Sequence, residues 1–374
     1  MRSKVKKRRA GQTGQPSPKP TQISLQSRAA SAGAALLVYE VETPVGLEDI
    51  VKSEISRTSS AAQIINTVRG AITVVTATPD DLLQLRTALA VYKVFQFRVS
   101  RPSGLLGHEN FNRLIKTIQA MIAKSSDQYS SFRLSAAGSH TLVMRRLKAE
   151  LSAALHLQLD DETGDLLLRV RHSEPFWEVL IRMGNRPLSV RAWRSVNMEG
   201  ALNGSVAHAM CHMLHHDGSG VFLNIACGSG TILAEEYLRD FAGSLLVGID
   251  LAASTLQMAR DNLRGSNAYT LTTLLQADGR YLPFANASVT SLAADLPFGQ
   301  LVGSAAENAS LYPVIFSEAG RVAKTGARFI VITHALRLME RLIPTMHMWR
   351  LLNERQIVLG GLHPKIYLLE RTDQ

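Results

Sequence analysis

Residues 291–300 run Ser-Leu-Ala-Ala-Asp-Leu-Pro-Phe-Gly-Gln, an apolar strand pattern that breaks at Asp295-Leu296-Pro297-Phe298-Gly299. Pro297 has no N–H to donate and biases Leu296 toward extended backbone, while Gly299 lets the chain turn where a side chain would obstruct. A turn of that kind at the carboxyl end of a strand gathers a carboxylate, free main-chain carbonyls and an aromatic face. That set suits a planar base carrying an exocyclic amine. Asp295 and a carbonyl accept the amine hydrogens, and Phe298 stacks on the ring, a contact worth roughly 1–3 kcal/mol per base. Asp295, Leu296, Pro297 and Phe298 are therefore the candidate catalytic set.

Strand and helix patterns alternate from Gly220 onward, which argues for a doubly wound parallel sheet. Residues 221–225 read as its first strand, Ala226-Cys227-Gly228-Ser229-Gly230-Thr231 as a tight glycine turn, and 231–238 as the following helix. Glycines there let a ligand approach the backbone at the helix N-terminus. The next strands, 245–250, 274–278 and 292–295, end in Asp250, Asp278 and Asp295. Three acids then share one sheet edge, where α/β folds bind ligands. Asp250, about twenty residues past the turn, is placed to accept hydrogens from a ribose. A nicotinamide dehydrogenase would use the same parts, but Thr231-Ile232-Leu233 follows where a GxGxxG run needs its third glycine.

The elements that hold these residues belong to a chain of 374 residues, enough for two or three domains. Its 46% apolar content supports ordinary globular cores. A formal net charge of +10 favours an anionic partner such as nucleic acid, although much of the excess sits in Lys4, Lys6, Lys7, Arg8 and Arg9. Residues 1–37 read as a disordered basic arm, suited to loose phosphate attraction or to solubility. Cys211 and Cys227 form no CxxC pair, so neither structural zinc nor a disulfide framework is expected, and a reducing cytoplasm fits. No apolar run is long enough to cross a membrane.

Residues 36–99 follow a strand-helix-strand-strand-helix-strand order, with the second helix opening at Pro79-Asp80-Asp81; this is a ferredoxin-like unit. A second α/β block follows, with helices at 110–123 and 141–157 and paired strands at 166–171 and 176–183. Basic side chains gather there and just beyond. Arg133, Arg145, Arg146, Lys148, Arg191 and Arg194 are the candidate phosphate contacts. A helix over 203–216, capped by Asn203 or Ser205, sets His208, His212 and His216 on one face; no carboxylate set accompanies them, so a partly exposed face rather than a metal site is expected.

These motifs resemble class I S-adenosylmethionine-dependent methyltransferases, and more closely the THUMP-domain RNA methyltransferases that modify guanine at its exocyclic amine. The resemblance covers about residues 38–372. It rests on Pro44-Val45-Gly46-Leu47-Glu48, Arg186-Pro187-Leu188 through Arg194, Ala201-Leu202-Asn203, the glycine turn, Asp250, Asp278, Asp295-Leu296-Pro297-Phe298-Gly299 and Gly360-Gly361. It implies an α/β chain divided into an arm (1–37), a ferredoxin-like domain (38–105), a THUMP RNA-binding domain (106–188), a linker (189–202) and a Rossmann-like methyltransferase domain (203–374). The last would hold a mostly parallel seven-stranded sheet. The resemblance further implies that Asn224, Ala226, Cys227, Gly228, Gly230, Asp250, Leu251, Asp278, Gly279, Asp295 and Ser205 hold S-adenosylmethionine. The implied reaction is methylation of guanine N2 in tRNA by a cytoplasmic, monomeric enzyme with no obligate metal. Ribosomal RNA as target, or RNA binding with a decayed cofactor pocket, are the alternatives. Asn224 stands where the family usually has an acid, Gly204 where it often has proline, and the short motif reads Asp-Leu-Pro-Phe rather than Asn-Pro-Pro-Tyr.

Overall fold

The computed structural model describes residues 37–239, 243–297 and 305–373; the basic arm, Phe298 and Gly299 lie outside the described residues. The amino-terminal part is one mixed sheet of eight strands. Its elements are β1 (Leu37–Glu42), α1 (Glu48–Thr58), β2 (Gln63–Val68), β3 (Ala71–Thr76), β4 (Ala90–Phe97), α2 (His108–Lys124), β5 (Ser131–Ala136), α3 (Leu142–Leu155), β6 (Gln158–Leu159), β7 (Leu166–Ser173) and β8 (Phe176–Arg182). The strand order is β2-β3-β1-β4-β8-β7-β5-β6. The first four strands thus lie as a ferredoxin-like unit requires, and the β4–β8 pairing carries the sheet on into the second block.

One expected helix is not there. From Pro79 the chain makes only a 3₁₀ segment, Pro79–Gln84. The buried Glu54 carboxylate of α1 accepts the backbone N–H of Arg86 (2.7 Å) and of Thr87 (2.9 Å). Those amides would otherwise have carried an α-helix forward. The Asp81 carboxylate likewise takes hydroxyls from Ser59 and Thr78, both at 2.7 Å, and pins the segment's start.

The carboxyl-terminal part is a seven-stranded sheet in the order β11-β10-β9-β12-β13-β15-β14. It is built from α4 (Gly204–Leu214), β9 (Val221–Ile225), α5 (Thr231–Tyr237), β10 (Leu245–Asp250), α6 (Ala253–Gly265), β11 (Thr272–Gln276), β12 (Val289–Asp295), α7 (Ala305–Val322), β13 (Ala323–Thr333), α8 (Leu336–Leu342), β14 (Trp349–Gln356) and β15 (Lys365–Arg371). β11, β10, β9, β12 and β13 run parallel, and β15 and β14 close the edge antiparallel. Short apolar runs such as Val-Phe-Leu-Asn-Ile in β9 are what a sheet covered on both faces needs. Phe222, Leu246 and Ile330 face one core, with Val206 and Met210 of α4; Leu223, Val247 and Phe329 face the other, with Tyr312 and Phe316 of α7.

Two predicted boundaries move. The helix α4 stops at Leu214 because His215 adopts left-handed backbone (φ 50°) as its cap, while Asn203 caps the other end by accepting the Ser205 and Val206 amides. The strand expected to end in Asp278 ends at Gln276, so Asp278 sits in the loop beyond β11.

Candidate active site

At the carboxyl edge of the seven-stranded sheet, the order reverses between β9 and β12, and these two strands pair in parallel. The chain leaves both there, one into the glycine turn and the other into Leu296-Pro297. A cavity of about 220 Å³ opens between them. Its walls include Ala226, Cys227, Gly228, Ser229 and Thr231 from the turn, Asp250 from β10, and Asp295, Leu296 and Pro297 from β12. The opposite wall is Met198, Glu199, Gly200, Ala201 and Leu202 of the segment between the two sheets. Seven of the residues expected to bind ligand or substrate therefore meet in one crevice: Ala226, Cys227, Gly228, Asp250, Asp295, Leu296 and Pro297.

Each is held for a physical reason. Gly230 caps α5 with φ 79°, and a Cβ there would stand 3.3 Å from that of Ala259. The Asp250 carboxylate accepts the Gly228 amide at 2.9 Å and the Ala252 amide at 3.1 Å, drawing the glycine turn down onto the end of β10. Asn224 is buried one turn of sheet below. Its Nδ2 donates to the carbonyls of Ala293 (3.1 Å) and Ile225 (3.3 Å). Those carbonyls only accept, so Oδ1 must point the other way, and it has no partner among the described residues. The Ser229 hydroxyl, also buried and lining the cavity, is likewise unpaired. Buried acceptors without partners are uncommon and mark places where a ligand supplies the missing donor. Burial pushes the Asp295 carboxyl up to about 7.

Other expected ligand residues lie at the margin. Leu251, 68% exposed, follows Asp250 and offers an uncovered apolar face. Asp278 pairs with Arg280 at 2.7 Å, and this contact holds its carboxyl below the usual range. Gly279 packs against Ile225, where a Cβ would come within 3.1 Å.

Several assignments are corrected. Ser205 does not reach the cavity: it is fully buried and its hydroxyl donates to the Ala88 carbonyl of the amino-terminal part at 2.7 Å. Arg191 is not a phosphate contact, because its guanidinium is buried against Glu235 (2.7 Å) and the carbonyls of Leu188 and Arg86. Arg194 is engaged too, donating to the Leu202 carbonyl (2.9 Å) and the Thr231 hydroxyl (2.8 Å). Lys148 is buried and paired with Asp161 at 2.7 Å. Arg146 makes a surface pair with Glu150, Arg133 donates to the Glu162 carbonyl, and Arg145 is exposed. The three histidines do not form one exposed face: His208 is buried on Glu235, His212 is half-buried, and His216, past the end of α4, lies between the hydroxyls of Ser244 and Ser291.

Glu235, wholly buried on α5, thus takes Arg86 from the first sheet, Arg191 from the connecting segment and His208 from α4, all within 3.1 Å. Burial would raise its carboxyl, but His208, Arg191 and Arg86 together hold it at about 2. A Cβ on Gly204 would stand 2.6 Å from Arg191 Nε, so glycine at that position makes room for this cluster. The two sheets also meet where Val45 and Val358 exchange backbone hydrogen bonds of 3.2 and 3.0 Å.

Residues 191–365 match the UPF0020 family, described as an RMKL-like methyltransferase domain. Among curated relatives, a Mus musculus tRNA (guanine(6)-N(2))-methyltransferase, THUMP3, is 28% identical over 185 residues, 46% of this chain and 37% of the relative. A Bos taurus U6 snRNA (guanine-N(2))-methyltransferase, THUMPD2, is 29% identical over 174 residues, 46% of this chain and 34% of its own length. The matched part of the chain thus spans little more than a third of these relatives. Among solved structures, TrmN from Thermus thermophilus shares the fold with a TM-score of 0.69 at 24% identity, over 90% of this chain and 99% of that one.

Proposed function

We propose that the chain is an S-adenosylmethionine-dependent RNA methyltransferase acting on guanine N2, with tRNA as substrate; the match of residues 191–365 to the RMKL-like methyltransferase domain supports this reading. The observation that carries it is the cavity bounded by the glycine turn, Asp250 and Asp295, with the Ser229 hydroxyl on its wall and without a partner among the described residues. The cofactor fits this donor set. It supplies an electrophilic methyl group on a sulfonium sulfur. Asn224 Oδ1 would accept from its ammonium group, so the missing acid at this position still leaves an acceptor. Asp250 would accept from the ribose hydroxyls, and Leu251 and Asp278 would hold the adenine. The Asp295 carboxylate accepts a hydrogen of the guanine amine, turns its lone pair toward the methyl group and receives the proton released after transfer. Positioning of this kind accounts for much of the rate in such displacements.

The amino-terminal sheet, as ferredoxin-like and THUMP domains, grips the RNA, with exposed Arg145 and the surface side chains Arg133 and Arg146 meeting phosphates. A base within a helix must leave its stack to reach Asp295. Names of the relatives support guanine N2 as the target atom and admit either tRNA or snRNA. The test is transfer from labelled S-adenosylmethionine to separate tRNA, ribosomal RNA and U6 snRNA pools, by wild type and Asp295→Ala, with nucleoside mass spectrometry. N2-methylguanosine in tRNA, lost in the variant, is expected. Label in another pool moves the substrate; no label in any pool overturns the enzyme reading.

A further inference from the structure

We propose that Tyr312 and Asn308 of α7 are positioning residues for methyl transfer, acting by clamping the Pro297 carbonyl and so setting the direction of Asp295. The inference rests on the methyltransferase reading above. Proline has no N–H, so the only polar handle the motif offers at position 297 is its carbonyl. Both of that oxygen's acceptor sites are occupied: Tyr312 Oη donates at 2.6 Å and Asn308 Nδ2 at 2.9 Å. The carbonyl only accepts, which fixes the roles of both partners. Tyr312 spends its single proton there, so the Thr333 hydroxyl, 2.7 Å away, must donate to Tyr312. Thr333 in turn accepts the Ala335 amide at 3.0 Å. Tyr312 and Thr333 are fully buried and Asn308 is 2% exposed, so water has little access to replace any of these bonds.

The result is a rigid path from β13 through Tyr312 to the turn that follows β12. Leu296 adds a second tether by donating its amide to the Ile332 carbonyl at 3.1 Å. Because Pro297 is already doubly bonded, its carbonyl has no acceptor capacity left for the substrate amine. Asp295 therefore remains as the motif's own side-chain acceptor on the cavity wall, and the clamp decides where its carboxylate points. Tyr312 also lies in the field of Asp295: burial, with that charge adding, pushes its hydroxyl up to about 12, so it stays a donor throughout the working pH range.

The experiment compares wild type with Tyr312→Phe, Tyr312→Phe/Asn308→Ala and Phe316→Leu on the methylated RNA pool. It measures kcat, RNA KM, cofactor Kd by calorimetry and thermal stability. Tyr312→Phe removes one donor and keeps the ring; kcat is expected to fall about 10-fold, and about 100-fold in the double variant, the loss typical of a reacting group displaced by an ångström. Cofactor Kd stays within about 2-fold. Phe316→Leu loosens the core around the same helix but leaves both bonds on Pro297, and its kcat stays within about 3-fold of wild type, whereas a general packing role would make it as damaging as Tyr312→Phe. Undiminished kcat in the double variant, a fall matched by lost cofactor affinity, or an equal fall in Phe316→Leu overturns the clamp. Wild-type transfer alongside any of those results leaves the function standing; absent wild-type transfer removes both.

Discussion

Asp295 sits where its side chain borders a cavity yet is desolvated enough to reach about 7. A carboxyl in that state can take the proton released by the amine only when ionised, so kcat/KM for methyl transfer should rise with pH through about 7 in the free enzyme. The same shift makes a stability statement. The folded carboxyl binds its proton more tightly than the unfolded one, so the native state loses stability as pH climbs from the ordinary carboxylate range through about 7. Asp295→Asn removes that ionisation. It should abolish detectable transfer and yet stabilise the protein at pH 8 by on the order of 2–4 kcal/mol, with no gain near pH 4. Denaturant melts at the two pH values check both signs, and a variant no more stable at pH 8 than wild type would rule out the desolvated carboxyl.

At the scale of elements, the strands and acids of the carboxyl-terminal sheet were legible because they are written in local patterns. An apolar run ending in Asp, a glycine turn and a capped helix each depend on neighbours within a few residues. Asp250 and Asp295 accordingly lie where the pattern puts them, and Asn203 caps α4. What was not legible depends on partners distant in the chain. Nothing near Pro79 announces that Glu54 will take the Arg86 and Thr87 amides and stop a helix. Nothing near Arg191 or Arg194 distinguishes a guanidinium buried on Glu235 or Thr231 from one waiting for phosphate. Ser229, between the two glycines of the turn, is legible for the same local reason: its spacing points a hydroxyl at whatever the turn cradles. Gly204 carries the clearest element-scale prediction. Alanine is the better helix former, so propensity alone forecasts a gain at this helix start. The close approach of Arg191 forecasts the reverse, and Gly204→Ala should destabilise by about 1–3 kcal/mol in a urea melt.

Across the whole molecule, the joins between the two parts include a buried charge cluster, a backbone bridge, the Arg355–Asp49 ion pair, the Ser205–Ala88 hydrogen bond and a connecting segment. Glu235 is the hub, and its carboxyl, depressed to about 2, contributes stability that is fully present above the usual glutamate range. That contribution, roughly 3 kcal/mol, is lost as pH falls from about 4.5 toward 2. Glu235→Gln should accordingly flatten the acid limb of the stability profile, and an unchanged limb would show that the cluster does not hold the halves together. The connecting segment does something further. Residues 198–202 are a wall of the cavity, while Arg191, a few residues earlier in the same segment, is bonded to Arg86 of the amino-terminal sheet. Filling the cavity and docking the two halves are then linked equilibria, and linkage is reciprocal. Whatever tightens the segment from one end must be felt at the other by the same factor. Cofactor should slow hydrogen exchange along residues 186–203, and any ligand that the first sheet holds should alter the affinity of the second for its cofactor. The cavity therefore belongs to the joint between the two sheets as much as to either of them.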